Sequence, residues 1–235
     1  MLLKVKNLNA GYGFLNVLWD VSLNIGKGEF VALIGPNGAG KSTVMKSISG
    51  LLPPKSGTIT FDGQVINNQD CAVNCRSGLS YISEELNLFT GMTILENLEM
   101  GAQMLEDKNK ARENLDFVFE LFPRLEERIS QYAGTLSGGE RKMLAIARGL
   151  MSNPTMVLVD EPSLGLAPQV TDEVFNALRL LNRQGLTILL VEQNVTKTLK
   201  FSSRAYILEK GKVVLEGPSS ELITNDHVRK IYLGT

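Results

Sequence analysis

Apolar and polar residues alternate over residues 2–8 and 17–25, and the triplet Gly11–Tyr12–Gly13 between these runs reads as a turn. Residues 30–34 break the alternation with a solid run, Phe30, Val31, Ala32, Leu33 and Ile34, the pattern of a strand covered on both faces. Similar runs recur at 79–82, 156–159 and 187–191. Residues 57–61 end on the hairpin signal Asp62–Gly63, and 205–208 with 213–216 form a second hairpin across Lys210–Gly211. Elsewhere the period is helical. Ile94, Leu95, Leu98 and Ala102 recur at helical spacing, and so do Leu115, Val118, Phe119 and Phe122, up to Pro123. Met143, Ile146, Ala147 and Leu150 share one face of a helix over 137–151, and another helix covers 169–183. Strands alternating with helices predict an α/β fold around a mostly parallel sheet. The early hairpins predict a small antiparallel β subdomain beside it. The helical stretch 86–151 reads as an inserted helical subdomain, with 1–85 and 152–235 as the core of a single 1–235 domain.

Composition narrows the class. The chain has 235 residues and 43% hydrophobic content, enough for a sizeable core. A formal net charge of −1 argues against a basic nucleic-acid binder, so no nucleic-acid partner is expected. No apolar run reaches the ~18–20 residues that span a bilayer. The first 13 residues lack the long apolar segment of a secretory signal, so a cytosolic location is expected. Cys71 and Cys75 have no second ligand pair, which favours two reduced thiols over a zinc site. His227 is the single histidine.

The densest chemistry follows the run at 30–34. Gly35, Pro36, Asn37, Gly38, Ala39, Gly40, Lys41, Ser42 and Thr43 fit the phosphate-loop pattern G-x-x-x-x-G-K-[ST], between a strand and a helix as that pattern requires. The glycines let successive amides converge on one point, and the following helix aims its positive end there. Lys41 would reach the β- and γ-phosphates, and the Ser42 hydroxyl would complete a Mg²⁺ shell. Met156-Val157-Leu158-Val159-Asp160-Glu161-Pro162 delivers two acids to the carboxyl edge of the sheet, where ligands of α/β folds bind. Asp160 would hold Mg²⁺ through water, and Glu161 would polarise the water that attacks the γ-phosphate. In Leu136-Ser137-Gly138-Gly139-Glu140, Ser137 and Glu140 form a capping box. Two consecutive glycines exceed what a cap needs. They expose amides at a helix N-terminus, a second anion site that a head-to-tail partner chain would use.

GPNGAGKST, LSGGE and MVLVDEP, in this order, resemble the ATPase subunit of ATP-binding-cassette (ABC) transporters over essentially the whole chain. The resemblance implies the ABC ATPase fold around a P-loop core, with ATP and Mg²⁺ bound. It also implies two ATPase subunits that sandwich two MgATP, each site combining the phosphate loop of one subunit with Ser137, Gly138 and Gly139 of the other. Tyr12 matches the aromatic that stacks on adenine, with a core tyrosine as the alternative. Ser163-Leu164-Gly165-Leu166 matches the dimer-contact loop.

Two positions depart from the family pattern. Glu84 stands where many members carry a glutamine that contacts Mg²⁺ and water, and Gln193 where many carry a histidine that senses the γ-phosphate. Gln193 can donate an amide N–H but cannot carry a proton, which shifts the burden to Glu161. These departures, with Ser163-Leu164-Gly165-Leu166-Ala167-Pro168, Phe122-Pro123-Arg124-Leu125 and Tyr232-Leu233-Gly234, resemble the branched-chain amino-acid transporter ATPases. The resemblance implies transmembrane permease subunits as partners, on the cytoplasmic side of the inner membrane. It also implies a second ATPase subunit, identical or paralogous, and a solute-binding protein reached through the permease. A lipid or lipopolysaccharide exporter ATPase and a non-transport ABC ATPase are the alternatives. Leu88, Phe89 and Met92 are expected to face a groove that takes a helix of the permease, most other apolar residues of 84–104 being core.

Overall fold

The computed structural model describes residues 1–233, without the side chains of Ile231 and Leu233. Gly234 of the C-terminal motif therefore lies outside the described residues. Strands β1 (Leu3–Tyr12) and β2 (Leu15–Ile25) pair antiparallel from Leu3↔Ile25 to Tyr12↔Leu15. Their turn is at Gly13–Phe14, so Gly11 and Tyr12 stay in the strand rather than forming the expected turn. Gly11 serves close approach: a Cβ there would lie 2.0 Å from the Leu15 carbonyl oxygen. Strand β4 (Ser56–Phe61) pairs with the other edge of β1. The short β5 (Gln64–Val65) returns across Asp62 and Gly63, whose φ values of 45° and 81° suit a type I′ turn. This antiparallel sheet has the order β2-β1-β4-β5.

The larger sheet has the order β10-β9-β3-β8-β7-β6. Strands β3 (Phe30–Ile34), β6 (Leu79–Ile82), β7 (Met156–Asp160), β8 (Thr187–Glu192) and β9 (Arg204–Glu209) run parallel, and β10 (Lys212–Pro218) adds an antiparallel edge. Every residue of β3, β7 and β8 is buried, which is why residues 30–34, 156–159 and 188–191 are continuous apolar runs. Alternate residues of β3 point to opposite faces. Val31 and Leu33 pack with Val44, Met45 and Ile48 of helix α1 (Lys41–Ser49) and with the antiparallel sheet. Phe30 packs on the other face, in a cluster with residues of α6 (Gly138–Leu150) and α7 (Pro168–Arg183). Ala32 and Ile34 meet Val195 and Leu199 of α8 (Val195–Phe201).

Helix α2 (Cys71–Arg76) precedes β6 and is too short for its period to show in the sequence. Its two cysteines are free and partly buried. Helices α3 (Ile94–Ala102), α4 (Lys108–Leu121) and α5 (Pro123–Glu127) lead to α6. Ile94, Leu98, Val118 and Phe122 belong to the same apolar cluster as Ile82, Val157 and Val159 of the parallel sheet. The helices are thereby anchored to the strands that carry the acids at 160–161.

The β9–β10 turn links three parts of the molecule. The Gly211 N–H donates to the Ala39 carbonyl at 2.9 Å, and its own carbonyl accepts the Trp19 N–H at 2.8 Å. Gly211 has φ 77°, and a Cβ would fall 1.9 Å from the Val17 carbonyl oxygen. Gly211→Ala is expected to destabilise the fold by about 2–4 kcal/mol. That lowers the midpoint of thermal unfolding by roughly 5–15 °C. Gly217→Ala, where a Cβ meets nothing within 4 Å, serves as the control and shifts it little. Equal melting of both variants would show that this turn does not fasten the loop.

Candidate active site

The ends of three parallel strands build the site. In the pairing register Ile34 lies opposite Glu192, and Asp160 lies opposite Val191, so β3, β8 and β7 stop at one level. After β3 the chain turns through Gly35–Gly40 into α1. Gly38 and Gly40 have φ values of 78° and 105°, which residues with a Cβ rarely adopt. At Gly40 a Cβ would also fall 2.6 Å from Leu18 Cδ2. Amides in the first turn of α1 have no partners within the helix and point toward the loop. The Lys41 ammonium is 4% exposed and donates to the Gly35 carbonyl at 2.9 Å and the Pro36 carbonyl at 3.3 Å.

Glu161 follows β7 in a left-handed backbone conformation, φ 47°, unusual for a residue with a side chain. Its N–H donates to the Val191 carbonyl at 2.9 Å. Its carbonyl accepts the Lys142 ammonium at 2.9 Å. One carboxylate oxygen lies 3.3 Å from the Lys41 ammonium, and the other accepts the Gln193 side-chain amide at 2.5 Å. Asp160 is buried. One of its oxygens accepts the Tyr81 hydroxyl at 3.1 Å; the other, Oδ1, is buried without a hydrogen-bond partner. Burial pushes the Asp160 carboxyl above its ordinary pKa; the Ser42 and Tyr81 hydroxyls pull against that, and Glu161 and Glu84 add to it. Burial and the neighbouring Asp160 raise the Tyr81 phenol well above its usual value, which keeps it a donor. A buried carboxylate oxygen beside a hydroxyl, both hard oxygen donors, fits a small divalent cation.

A cavity of ≈ 590 Å³ unites Tyr12, Asn37, Gly38, Gly40, Lys41, Ser42, Thr43, Glu84, Glu161 and Gln193. Tyr12 is half exposed at its mouth rather than a core residue. Gly35, Pro36 and Ala39 shape the loop behind it. Ser137, Gly138 and Gly139 do not line this cavity. They stand at the N-terminus of α6, where Ser137 and Glu140 form the expected capping box. Glu140 is held below its usual pKa by the Ser137 hydrogen bonds. Gly138 and Gly139 face α7 and the loop before it: a Cβ on Gly139 would fall 2.5 Å from Val170 Cγ1.

A second cavity of ≈ 520 Å³ is lined by Leu86, Phe89, Met100, Met104 and Arg148, and it shares Ser42 and Glu84 with the first. Arg148 holds its rim by donating to the carbonyls of Leu86 at 2.7 Å and Asn87 at 2.8 Å, with its guanidinium 5.5 Å from the Phe89 ring centroid. Of the three residues expected to face a groove, only Phe89 does so. Leu88 packs against the main apolar cluster, and Met92 is outside the lining.

Sequence reasoning did not single out Tyr81, Lys142 or Glu192. The available signal for Lys142 was its place one helical turn before Ile146 on an otherwise apolar stripe.

Residues 18–164 match the model of the family described as ABC transporter. The chain is 43% identical, over 99% of its length and 100% of the relative's, to the high-affinity branched-chain amino acid transport ATP-binding protein BraG of Pseudomonas aeruginosa. It is 34% identical, over 99% of its length and 97% of the relative's, to the lipopolysaccharide export system ATP-binding protein LptB of Escherichia coli. An ABC-transporter cassette solved in its ADP conformation superposes with a TM-score of 0.86 at 28% identity, covering 100% of this chain and 99% of that one. A dimeric bacterial ABC-transporter cassette superposes with a TM-score of 0.80 at 29% identity, covering 92% and 98%. By the family match, the full-length relatives and the shared fold, this chain belongs to the ABC transporter family as an ATP-binding, ATP-hydrolysing member.

Proposed function

We propose that this chain powers an importer of branched-chain amino acids. It would work as half of a head-to-tail ATPase dimer at the cytoplasmic face of the inner membrane, joined to transmembrane permease subunits. The observation that carries the hydrolytic part is the Glu161 carboxylate, held at the phosphate loop between Lys41 and Gln193. The import assignment rests on full-length similarity to BraG, which exceeds that to LptB. No helix among the described residues is long and apolar enough to cross a membrane.

In this reading the loop amides and Lys41 take the β- and γ-phosphates, and the half-exposed Tyr12 takes the adenine. Ser42 and Asp160 would hold Mg²⁺, which neutralises phosphate charge when bound. Glu161 accepts a proton from the water that attacks the γ-phosphorus, the bond to the bridging oxygen breaks, and ADP leaves. Lys41 exchanges its contact with Glu161 for the phosphate, which frees the carboxylate for the water. Gln193 orients that carboxylate but cannot share its proton. The α6 N-terminus, with Ser137 and the amides of Gly138 and Gly139, would close over the partner's nucleotide. Glu84 lines both cavities and would report nucleotide state to the groove at Phe89.

Glu161→Gln is expected to bind ATP normally, to accumulate as a dimer in size-exclusion chromatography with ATP, and to lose turnover by at least about 100-fold. Near-normal turnover would remove Glu161 from the base role. Gln193→His should keep or modestly raise turnover in the same assay, and complete loss would mean that Gln193 is not at the sensing position.

The groove makes a separate prediction. In vesicles carrying the co-purified permease and binding protein, Phe89→Glu and Met104→Glu should abolish ATP-driven leucine uptake while soluble ATPase stays within about twofold. Uptake at the unsubstituted rate would rule out the groove as the coupling surface. A complex that releases lipopolysaccharide and takes up no leucine would replace import by export.

A further inference from the structure

Two buried charges in this site have no part in the reaction just described. Lys142 of α6 is 7% exposed and Glu192 at the end of β8 is 2% exposed. Isolated charges at such depth are costly, so each is retained only with partners. The Lys142 ammonium donates to the carbonyl of Glu161. The Glu192 carboxylate accepts the N–H of Ser163, two residues beyond Glu161, at 2.9 Å and that of Gln193 at 3.2 Å. Burial lowers the Lys142 ammonium, and Glu192 is foremost among the acids that hold it up. Lys142 therefore fixes the peptide that Glu161 hangs from. Glu192 fixes the start of the next loop and the backbone of the residue whose amide holds the Glu161 carboxylate.

We infer that Lys142 and Glu192 are a positioning pair, which locks the left-handed Glu161 backbone and aims its carboxylate. This rests on Glu161 acting on the attacking water. Lys142 sits one turn after Gly139 on α6. The helix whose N-terminus would meet the partner's nucleotide thus also grips the catalytic residue of its own chain. Ordering of the α6 N-terminus by the partner site then reaches Glu161 through one rigid helix and one ammonium. Neither residue lines the cavity, so neither touches nucleotide and both act through Glu161 and Gln193.

The test is steady-state ATP hydrolysis by the full chain with Mg²⁺, together with binding of a fluorescent ATP analogue. Lys142→Met keeps the length of the side chain and removes the ammonium. It should lower kcat by about 10- to 100-fold, the scale expected for a displaced catalytic group, with KM and analogue affinity within about twofold. Lys142→Arg keeps a donor and should recover much of the loss. Glu192→Gln, which can accept only one of the two N–H groups well, should show the same kcat-selective loss. In a Glu161→Gln background, Lys142→Met should change residual turnover less than twofold, because the group it positions is already gone. Unchanged kcat in Lys142→Met, a loss confined to KM, or full additivity with Glu161→Gln would each overturn the inference. So would a Lys142→Met chain that no longer binds the analogue, unless Lys142→Arg and Glu192→Gln fold and show the kcat-selective pattern. If Glu161→Gln itself keeps normal turnover, both the base role and this inference fail; a dead Glu161→Gln beside a fully active Lys142→Met overturns the positioning pair alone.

Discussion

The parallel register of β3, β7 and β8 places an ammonium and three carboxylates at one buried edge of the sheet. Lys41, Asp160, Glu161 and Glu192 are each no more than 6% exposed. At that depth the groups must satisfy one another or a ligand, and losing one partner of a buried pair typically costs about 3–5 kcal/mol. The geometry therefore permits few arrangements. Lys41 can hold its own loop carbonyls and Glu161, or it can hold phosphate. In the proposed mechanism a nucleotide arriving at this edge would change which charges are paired, and the Glu161 carboxylate would feel binding through that exchange.

Glu161 concentrates the cost. A left-handed backbone costs roughly 1–2 kcal/mol for a residue with a Cβ. It is held by the Val191 carbonyl on one side and Lys142 on the other. The strain has a consequence for chemistry, because a regular continuation of β7 would direct the next side chain onto one face of the sheet rather than toward the loop. Short turns with defined backbone geometry do the aiming at both neighbouring places: Gly38 and Gly40 in the phosphate loop, and Gly211, whose hydrogen bond to Ala39 braces that loop from the β9–β10 hairpin. The two cavities meet at Ser42 and Glu84, so chemistry at the edge of the sheet and packing at Phe89 are neighbours in one wall.

Much of this was legible in the chain. The buried strands announced themselves as continuous apolar runs, the type I′ hairpins as Asp62–Gly63 and Lys210–Gly211, and the capping box as Ser137 with Glu140. Each of these is local, set by residues within a few positions of one another. The phosphate loop was legible for the same reason, since its anion site is made by consecutive backbone amides. Where reading failed, the deciding neighbour was distant in sequence. Gly11 looked like a turn residue, but its small size serves the approach of Leu15 across the hairpin. Leu88 looked like a groove residue, but it packs, partly buried, against the main cluster, and Met100, Met104 and Arg148 from α3, its C-terminal flank and α6 wall the groove with Phe89.

The sequence by itself thus determined most of the strands and the longer helices, the α/β class, the phosphate loop, the two acids at the end of β7 and the family. These depend on periodicity, on glycine at positions of positive φ and on side chains adjacent along the chain. Only the tertiary structure decided what surrounds Glu161. Its carbonyl meets a lysine 19 residues away, and its carboxylate meets an amide 32 residues away. It likewise decided that Ser137–Gly139 stand apart from the cavity of their own chain. Such meetings depend on which strands lie side by side and in what register, and that order is set by packing of the whole apolar core rather than by any one stretch of residues.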